Sequence, residues 1–449
     1  MRTLVYALMT LSVVTIVTVL ILIILGYSFN RQDGRLEQGG LLQFASTPSG
    51  ATVSIDGIRV GSRTPSKASV DAKSHYVQMN LQGYRTWNKT IDVKPGDIGW
   101  LSYARLIPND VKVDAVRTFP TVAASLASTD RKWLAIQEDA ASSTITLANL
   151  ESDTPKFSTL TIPADIITAP ETPSAQQFAL VSWNRDSNRL LVKRTYDDTK
   201  TEWLMVRRDN PQESVNLTTT FGVAITDAQF GERGGGDVYI LTAEAIVRRI
   251  DLGSGTLSGV LAENITEFSV YDNNTLLYVT NPDGAEQNQR HVGYRESGMD
   301  AGQTVFSYPA ETENIHVAFG EYYGKRYVGV THGITMQVFV GTIPKGTTKA
   351  NLKELEKVTL AEAPQRLTIG ENGRLAVAQM NDRFTTYDIE LNKTDTTTFD
   401  RPATVAGPLE WIDAYMIASD RGGMLRFFEF DGGNQQDIMP VIEGQAVTL

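Results

Sequence analysis

A pair of β-strands recurs along most of the chain and restricts its fold more than any other feature. The pair begins with a polar turn and an apolar strand, which occur seven times: DRKWLAIQ (130–137), SNRLLVKR (187–194), GDVYILTA (236–243), NNTLLYVT (273–280), GKRYVGVT (324–331), NGRLAVAQ (372–379) and DAYMIASD (413–420). A second β-like strand follows each: TITLANL, EWLMVRR, AIVRRIDL, RHVGYRE, MQVFVGT, FTTYDIEL and MLRFFEF. The mean spacing of the units is about 47 residues, which is typical of propeller blades.

Two further strands complete each unit. One precedes the pair, as in AASLAST, FALVSWN, DAQFGE, EFSVYD, HVAFGE, QRLTIGE and LEWID, and a more variable strand follows it. A small twisted sheet cannot bury both faces alone, but it can do so between two neighbours around an axis. We therefore predict an all-β chain whose residues 111–449 form a β-propeller of about seven four-stranded blades. A pair of β-sandwich domains is the alternative, and the regular recurrence disfavours it.

Two details of this region stay open in the sequence. The first is how the predicted propeller closes. One alternative is that AVTL (446–449) pairs with the first or last blade, and the other is that VDAVRTF (113–119) supplies the outer strand of the last blade. The chain stops inside the first of these segments, so truncation of a longer protein is a further alternative. KANLKELEK (349–357) carries Leu352 and Leu355 at helical spacing, and it predicts a short helical turn or a loop.

The first thirty residues contain an apolar run from Leu4 to Leu25. As a helix, these 22 residues would extend about 33 Å, enough to cross the hydrocarbon core of a bilayer. We predict a transmembrane anchor at 1–30 that contacts the membrane through residues 4–25, followed by a polar linker at 31–40. A cleaved signal sequence is the alternative. We expect a single-pass protein with a cytoplasmic N-terminus and an extracytoplasmic body.

Residues 41–108 have the pattern of a small β-sandwich. In ATVSIDG, apolar Val53 and Ile55 alternate with polar residues, as in a half-buried strand, and Asp56-Gly57 is a hairpin-turn signal. The module has the residue order Pro48-Ser49-Gly50-Ala51, Val53-Ser54-Ile55-Asp56-Gly57, Gly61, Thr64-Pro65, His75, Gly83-Tyr84 and Leu106.

That order resembles the PEGA domain. Ser49 stands where the family's name motif has Glu, and Ser74 precedes His75 where the family usually has Gly; neither difference alters the spacing. The resemblance implies a small β-module of membrane-anchored and cell-envelope proteins, with a spacer or adhesion role and no known catalysis. His75 is interpreted as structural, and Trp87 as a core or rim aromatic rather than a sugar platform.

Composition and motifs restrict the chemistry. With 41 basic and 52 acidic residues the net charge is −11, which disfavours nucleic acid as a partner. The sequence has no cysteine and only four histidines, and it lacks a nucleophile elbow, a zincin motif and a phosphate loop. Glycines 234–236 are interpreted as a turn. Calcium at 272–274 or 281–284, and a metal at His316 and His332, are disfavoured because the spacing of ligands is incomplete.

We therefore predict no catalytic residues, no cofactor and no metal site. The leading hypothesis is a non-enzymatic cell-envelope protein: the PEGA-like module is a spacer and the propeller displays a surface that binds a protein or a glycan. The alternative is an envelope hydrolase or glycan-processing enzyme that uses carboxylates at the propeller axis. Two inward carboxylates in a concave pocket would favour the enzyme.

Overall fold

A computed structural model describes residues 2–24, 27–30, 35–170, 176–231, 236–271, 275–282, 288–342, 350–370, 372–399, 409–419 and 423–441. The chain divides into two compact units. Unit 1 comprises Met1–Val113 with Gly433–Ile438, and unit 2 comprises Asp114–Gly432 with Met439–Leu449.

Unit 1 begins with a helix, α1 (Arg2–Ile24), and a two-stranded sheet of β1 (Tyr27–Asn30) and β2 (Arg35–Gln38). The segment 31–40, predicted to be a linker, therefore contains a strand, because residues 35–38 pair with residues 27–30. In the part of the chain that the structure describes, no helix meets the length and apolarity needed to cross a membrane. The predicted anchor at 1–30 is thus not supported by the structure.

The rest of unit 1 is an all-β module of two sheets. The strands are β3 (Gly40–Thr47), β4 (Thr52–Ile55), β5 (Ile58–Arg63), β6 (Ser66–Val70), β7 (Ser74–Asn80), β8 (Trp87–Asp92) and β9 (Ile98–Arg105). One sheet has the order β5-β4-β7-β8 and the other β6-β3-β9. Trp87 of the first sheet contacts Tyr103 of the second, ring centroids 6.2 Å apart, and both side chains are buried. The two sheets therefore pack face to face.

The turn between β4 and β5 is the one that the sequence predicts. Asp56 and Gly57 have φ angles of 51° and 81°, and Ile55 pairs with Ile58 across them. Two successive left-handed residues give the turn the twist of a β-hairpin, and Gly57 adopts this conformation without strain.

The described residues after Val113 contain seven four-stranded antiparallel sheets, each built from consecutive strands. We number them sheet 1 to sheet 7. Sheet 1 has β10 (Ala124–Ala127), β11 (Trp133–Gln137), β12 (Thr144–Asn149) and β13 (Lys156–Thr161); sheet 2 has β14 (Gln177–Trp183), β15 (Arg189–Tyr196), β16 (Lys200–Arg207) and β17 (Val215–Asn216). Sheet 3 has β18 (Ile225–Phe230), β19 (Val238–Thr242), β20 (Val247–Asp251) and β21 (Thr256–Leu257); sheet 4 has β22 (Ile265–Val270), β23 (Thr275–Thr280), β24 (Gln289–Glu296) and β25 (Gln303–Pro309).

The last three sheets follow the same scheme. Sheet 5 has β26 (His316–Tyr322), β27 (Lys325–His332), β28 (Thr335–Thr342) and β29 (Asn351–Thr359); sheet 6 has β30 (Arg366–Ile369), β31 (Leu375–Gln379), β32 (Arg383–Asp388) and β33 (Lys393–Thr398). Sheet 7 has β34 (Glu410–Trp411), β35 (Met416–Ser419), β36 (Met424–Glu429) and β37 (Gln436–Pro440). Short helical segments lie between strands: α2 (Leu217–Phe221) and the 3-10 turns Ala164–Ile166 and Pro211–Glu213.

The repeat in the sequence coincides with these sheets. The seven predicted turn-and-strand segments overlap the second strands, and the segments predicted to follow them overlap the third strands. The prediction of an all-β array of four-stranded units is confirmed.

Apolar side chains fill the spaces between neighbouring sheets. Leu190 packs into the cluster shared with sheet 1, whereas the next residue, Leu191, packs into the cluster shared with sheet 3. Leu276 and Leu277 of sheet 4 divide in the same way between sheets 3 and 5. Both faces of a second strand are thus buried, which explains why these strands are continuous apolar runs without alternation. The first strands of successive sheets from sheet 1 to sheet 6 lie next to one another, on the inner side of the array.

One segment differs from the sequence prediction, and one of the two open alternatives for the outer strand is not adopted. Residues 349–357 do not form a helical turn, because Asn351–Thr359 is strand β29, which pairs with β28 and packs Leu352 and Leu355 against apolar clusters. Residues 113–119 form no strand, since sheet 7 takes its outer strand, β37, from its own part of the chain. The alternative closing segment, 446–449, lies outside the described residues.

Candidate functional site

A cavity of about 420 Å³ lies where sheets 6 and 7 approach sheet 1. It is bordered by β30 and the glycine after it, by Leu409–Ala414 around β34, and by the turn Thr129–Arg131 after β10. Its volume is in the range of small-ligand sites. Residues from the first sheet and the last two sheets share this cavity.

The turn after β10 presents Asp130 to the cavity. Its Oδ1 accepts hydrogen bonds from the hydroxyls of Ser128 and Ser187, at 2.6 and 2.7 Å, and from the backbone N–H of Lys132 at 3.1 Å. Partial burial on its own would raise the pKa of Asp130, but these hydrogen bonds outweigh burial and lower it. Asp130 is therefore a carboxylate at neutral pH, and through Ser187 it joins the turn of sheet 1 to that of sheet 2.

A second carboxylate, Asp413, lies in the turn after β34. Its Oδ1 accepts the backbone N–H groups of Tyr415 and Met416, both at 2.8 Å, which makes an Asx-type turn. Both carboxylates that line the cavity thus accept turn hydrogen bonds at Oδ1.

Two arginines, Arg131 and Arg366, also line the cavity, and both are exposed. Neither guanidinium has a hydrogen bond or an ion pair within the described part of the chain. Buried arginines of unit 2 differ in this respect: Arg194 is paired with Glu202 at 2.8 Å, and Arg374 with Asp388 at 2.6 Å. The arginines at the cavity are therefore available to a ligand.

The apolar wall of the cavity includes Trp411 and Ile369, both half-buried. Gln379 lies behind them, 5% exposed, and its Oε1 accepts the backbone N–H of Leu409 at 3.1 Å. This bond joins β31 to the segment that enters β34, so it holds the indole of Trp411 in a defined position relative to sheet 6.

His316, in β26, lies close enough to Arg366 for the two charges to interact. Its Nδ1 is 3.0 Å from Oε2 of Glu267 and its Nε2 is 3.2 Å from the carbonyl oxygen of Pro364. Only the protonated ring can donate to both acceptors. Burial by itself lowers the pKa of His316, but the Glu267 carboxylate outweighs burial and the Arg366 charge, and the pKa is raised.

The other histidines considered for a site have structural partners. His332 Nε2 is 3.1 Å from the Gln337 side-chain oxygen, and His75 lies between Asp56 Oδ2 and the Asp71 carbonyl, 2.8 Å from each. Within the described ranges, no three His, Asp or Glu side chains are grouped as metal ligands would be. Residues 234–235, 272–274 and 283–284, weighed as turn or calcium segments, lie outside the described residues.

Residues 40–105 match the sequence profile of the PEGA domain. It overlaps the predicted module, 41–108, and in the structure it includes β3 to β9. Within this segment, His75 has a structural role: its ring joins Asp56 in the β4–β5 turn to Asp71 in the loop before β7. No curated protein is similar enough to the chain to count as a relative.

Solved structures that resemble the chain include three with low sequence identity. The β-propeller domain of Cps50 (Swd1) from Myceliophteria thermophila is 11% identical with a TM-score of 0.42, covering 75% of this chain and all of that domain. AztD from Citrobacter koseri is 9% identical with a TM-score of 0.42, covering 88% and 95%. Hsv2 from Kluyveromyces lactis is 8% identical with a TM-score of 0.43, covering 71% and 99%.

Arg131, Arg366 and Trp411 were not singled out in the sequence. Each lies in or beside a predicted first strand or turn, in DRKWLAIQ, QRLTIGE and LEWID. The signal that could have found them is positional: a propeller places its innermost strands around a central channel, so charged or aromatic residues in or just after the predicted first strands are candidates for a shared cavity.

Proposed function

We propose that this protein is an extracytoplasmic binding module of the cell envelope, in which the propeller displays the cavity to a protein partner and the PEGA segment acts as a spacer. The observation that carries the proposal is the cavity itself, with two unpaired arginines and a tryptophan on sheets that are tightly packed together. Binding residues on loops and strand ends held by a rigid scaffold are the usual arrangement in such folds. We take the seven sheets as the blades of one closed ring.

The partner is expected to be a protein. A half-buried tryptophan bordered by arginines is the composition found at the centres of protein interfaces, where Trp and Arg dominate the binding energy. Trp411 is the aromatic residue of the cavity lining, and stacking of a sugar chain commonly uses several aromatic faces. A glycan therefore remains the second ligand class to test.

Capture of partners from envelope membranes tests the proposal. The full chain is immobilised, and the proteins that it retains are compared with those retained by Trp411→Ala. The matched control is Trp100→Ala, which removes an exposed tryptophan of the PEGA segment. We expect at least one partner to be lost with Trp411→Ala and kept with Trp100→Ala. Identical sets of retained proteins from all three would overturn the proposal.

The same proposal includes the cellular location of the residues that follow the apolar run. The apolar run 4–25, the roughly 420 residues after it and the PEGA segment support an exported body with a cytoplasmic N-terminus, attached to the membrane through residues 4–25. Alkaline phosphatase fused to the C-terminus should be active and a fluorescent protein fused there should be dark. A carbonate wash of the membranes then separates an attached protein from one released by cleavage of a signal sequence.

An enzyme that uses carboxylates is the second candidate, and one observation favours it: Asp130 and Asp413 both line the cavity. Hydrolysis of a glycoside needs one carboxylic acid that keeps its proton near neutral pH. Asp130 does not meet this requirement, because its pKa is lowered and it gives up its proton more readily than an ordinary aspartic acid. Turnover of a glycan or peptide panel that is abolished by Asp130→Asn would favour the enzyme over the binding module.

A further inference from the structure

We propose that the cavity binds an extended acidic segment of the partner protein, with one of its carboxylates paired to Arg366, so that Arg366 determines specificity. This inference rests on the proposed function and names the chemistry of the ligand.

The first step in the argument is the uncompensated charge of Arg366. Glu267 and Arg366 both interact with the charge of His316. The Glu267 carboxylate, however, is hydrogen-bonded to the histidine, with Oε2 3.0 Å from Nδ1, and not to Arg366. In the described part of the chain, Arg366 has no ion pair of its own. A guanidinium on a cavity wall that lacks an internal partner is suited to a carboxylate, which it can bind with two parallel hydrogen bonds.

The second step is the shape of the cavity. It follows β30 from Arg366, the first residue of the strand, to Gly370, which follows the last. At the rise of a β-strand, these four steps span roughly 13 Å. A cavity this long beside a strand fits an extended chain, and Trp411 and Ile369 supply an apolar wall for its side chains.

The third step is that the cavity also offers a hydrogen-bond acceptor, Asp130, in the turn after β10. The Oδ1 of Asp130 accepts three hydrogen bonds, while its Oδ2 has no partner among the described residues. Oδ2 can accept a backbone N–H of the ligand. Arg131 follows in the same turn and has no internal partner in the described residues either. A peptide offers both groups, a side-chain carboxylate for Arg366 and backbone N–H donors for Asp130.

The test is selection from a random nonapeptide library displayed on phage, using the full chain as bait. The variants are Arg366→Gln and the control Arg185→Gln, which removes the same charge from an exposed turn residue of unit 2 outside the cavity lining. Bound peptides are sequenced, and the frequency of Asp and Glu is compared with that of the input library. Circular dichroism and melting of each variant confirm that it is folded.

The wild type and Arg185→Gln should enrich acidic residues several-fold, and Arg366→Gln should lose most of this enrichment. A fluorescein-labelled peptide from the selection should bind at least tenfold more weakly when its Glu residues are replaced by Gln. No acidic enrichment, or the same enrichment with Arg366→Gln, overturns the inference. Binding of a uronic-acid oligosaccharide with no peptide enriched overturns it too.

The outcomes separate this inference from the function on which it rests. If Trp411→Ala loses an envelope partner while selected peptides show no acidic bias, the binding module stands and the acidic ligand is wrong. If no partner depends on Trp411 and no peptide is enriched, both fail.

Discussion

Arg374 is one of the largest fully buried side chains of the protein, 2% exposed. Its Nε and Nη2 donate to Asp388 at 2.9 and 2.6 Å, and its Nη1 lies 2.9 Å from Glu390. Burial opposes the charge, but the two carboxylates outweigh it and raise the pKa of Arg374. Glu390 also accepts the hydroxyl of Tyr322 from sheet 5, so one buried charge organises the contact between sheets 5 and 6.

Arg374→Met should destabilise unit 2 strongly. It leaves the Asp388 carboxylate buried without its cation, a change that costs about 3–5 kcal/mol in comparable buried pairs. The measurement is the free energy of unfolding of the full chain in urea. The control, Lys132→Gln, breaks the exposed Lys132–Glu151 pair and should cost less than about 1 kcal/mol. Equal losses for the two variants would contradict the role assigned to the buried network.

At this scale the sequence carries little information. Arg374 and Arg366 are each followed by leucine at the start of an apolar strand segment, yet one is buried between carboxylates and the other is exposed at the cavity. Arg374 is buried because Asp388, at the end of β32, and Glu390, in the turn after it, pair with its guanidinium. Long-range placement of this kind is not visible in local spacing, which is why the candidate site could not be predicted.

At the scale of elements, His316 connects three consecutive sheets. The histidine belongs to β26 of sheet 5, Glu267 to β22 of sheet 4, and Pro364 lies just before β30 of sheet 6. The backbone N–H of His316 also donates to the Thr331 hydroxyl of β27. The charged side chains that act on the ring are Glu267 and Arg366. A protonated ring thus holds the first strands of sheets 4 and 5 and the entry to sheet 6.

This linkage makes stability depend on pH. Because the pKa of His316 is raised in the folded state, its contribution is full below the unfolded pKa of about 6.5 and is lost as the pH rises through the folded pKa. We expect His316→Gln to lower the melting temperature clearly at pH 6 and much less at pH 9.

The control is His291→Gln, whose ring bonds to the Ser307 hydroxyl in the outer strands of sheet 4. Its melting temperature is measured over the same pH range for comparison. A difference between wild type and His316→Gln that stays constant from pH 6 to pH 9 would mean that the ring has only a packing role.

The strands themselves were the most predictable elements. Second strands such as VYILT in β19 are apolar on both faces and preceded by turn residues, so local sequence is sufficient to find them. β29 was missed because its Leu352 and Leu355 have helical spacing. Pairing with β28 and packing of the two leucines into clusters between sheets outweigh the local preference.

At the scale of the whole molecule, sheet 7 is expected to hold unit 2 together. Its Phe428 packs on Phe384 and Phe399 of sheet 6, with ring centroids 5.9 and 6.0 Å apart. Sheets 1, 6 and 7 together surround the cavity. An open array would expose the apolar faces of sheets 1 and 6 to water.

Deletion of residues 409–449 should therefore convert a cooperative unit into an aggregation-prone one. We expect increased binding of the dye ANS, a broad melting transition and association in size-exclusion chromatography. The milder variant Phe428→Ala keeps sheet 7 and should lower the free energy of unfolding by about 3–5 kcal/mol while the elution volume stays that of the wild type. A deletion variant that remains monomeric and melts sharply would show that the sheets do not depend on a closed ring.

Each of the seven sheets comes from one uninterrupted stretch of chain. The gene therefore stores every one of these sheets as a contiguous block, and an in-frame duplication or loss of one block changes the number of sheets without splitting a hydrogen-bonded sheet. The interfaces between sheets, more than the sheets themselves, then set how many sheets descendants of this gene can pack together.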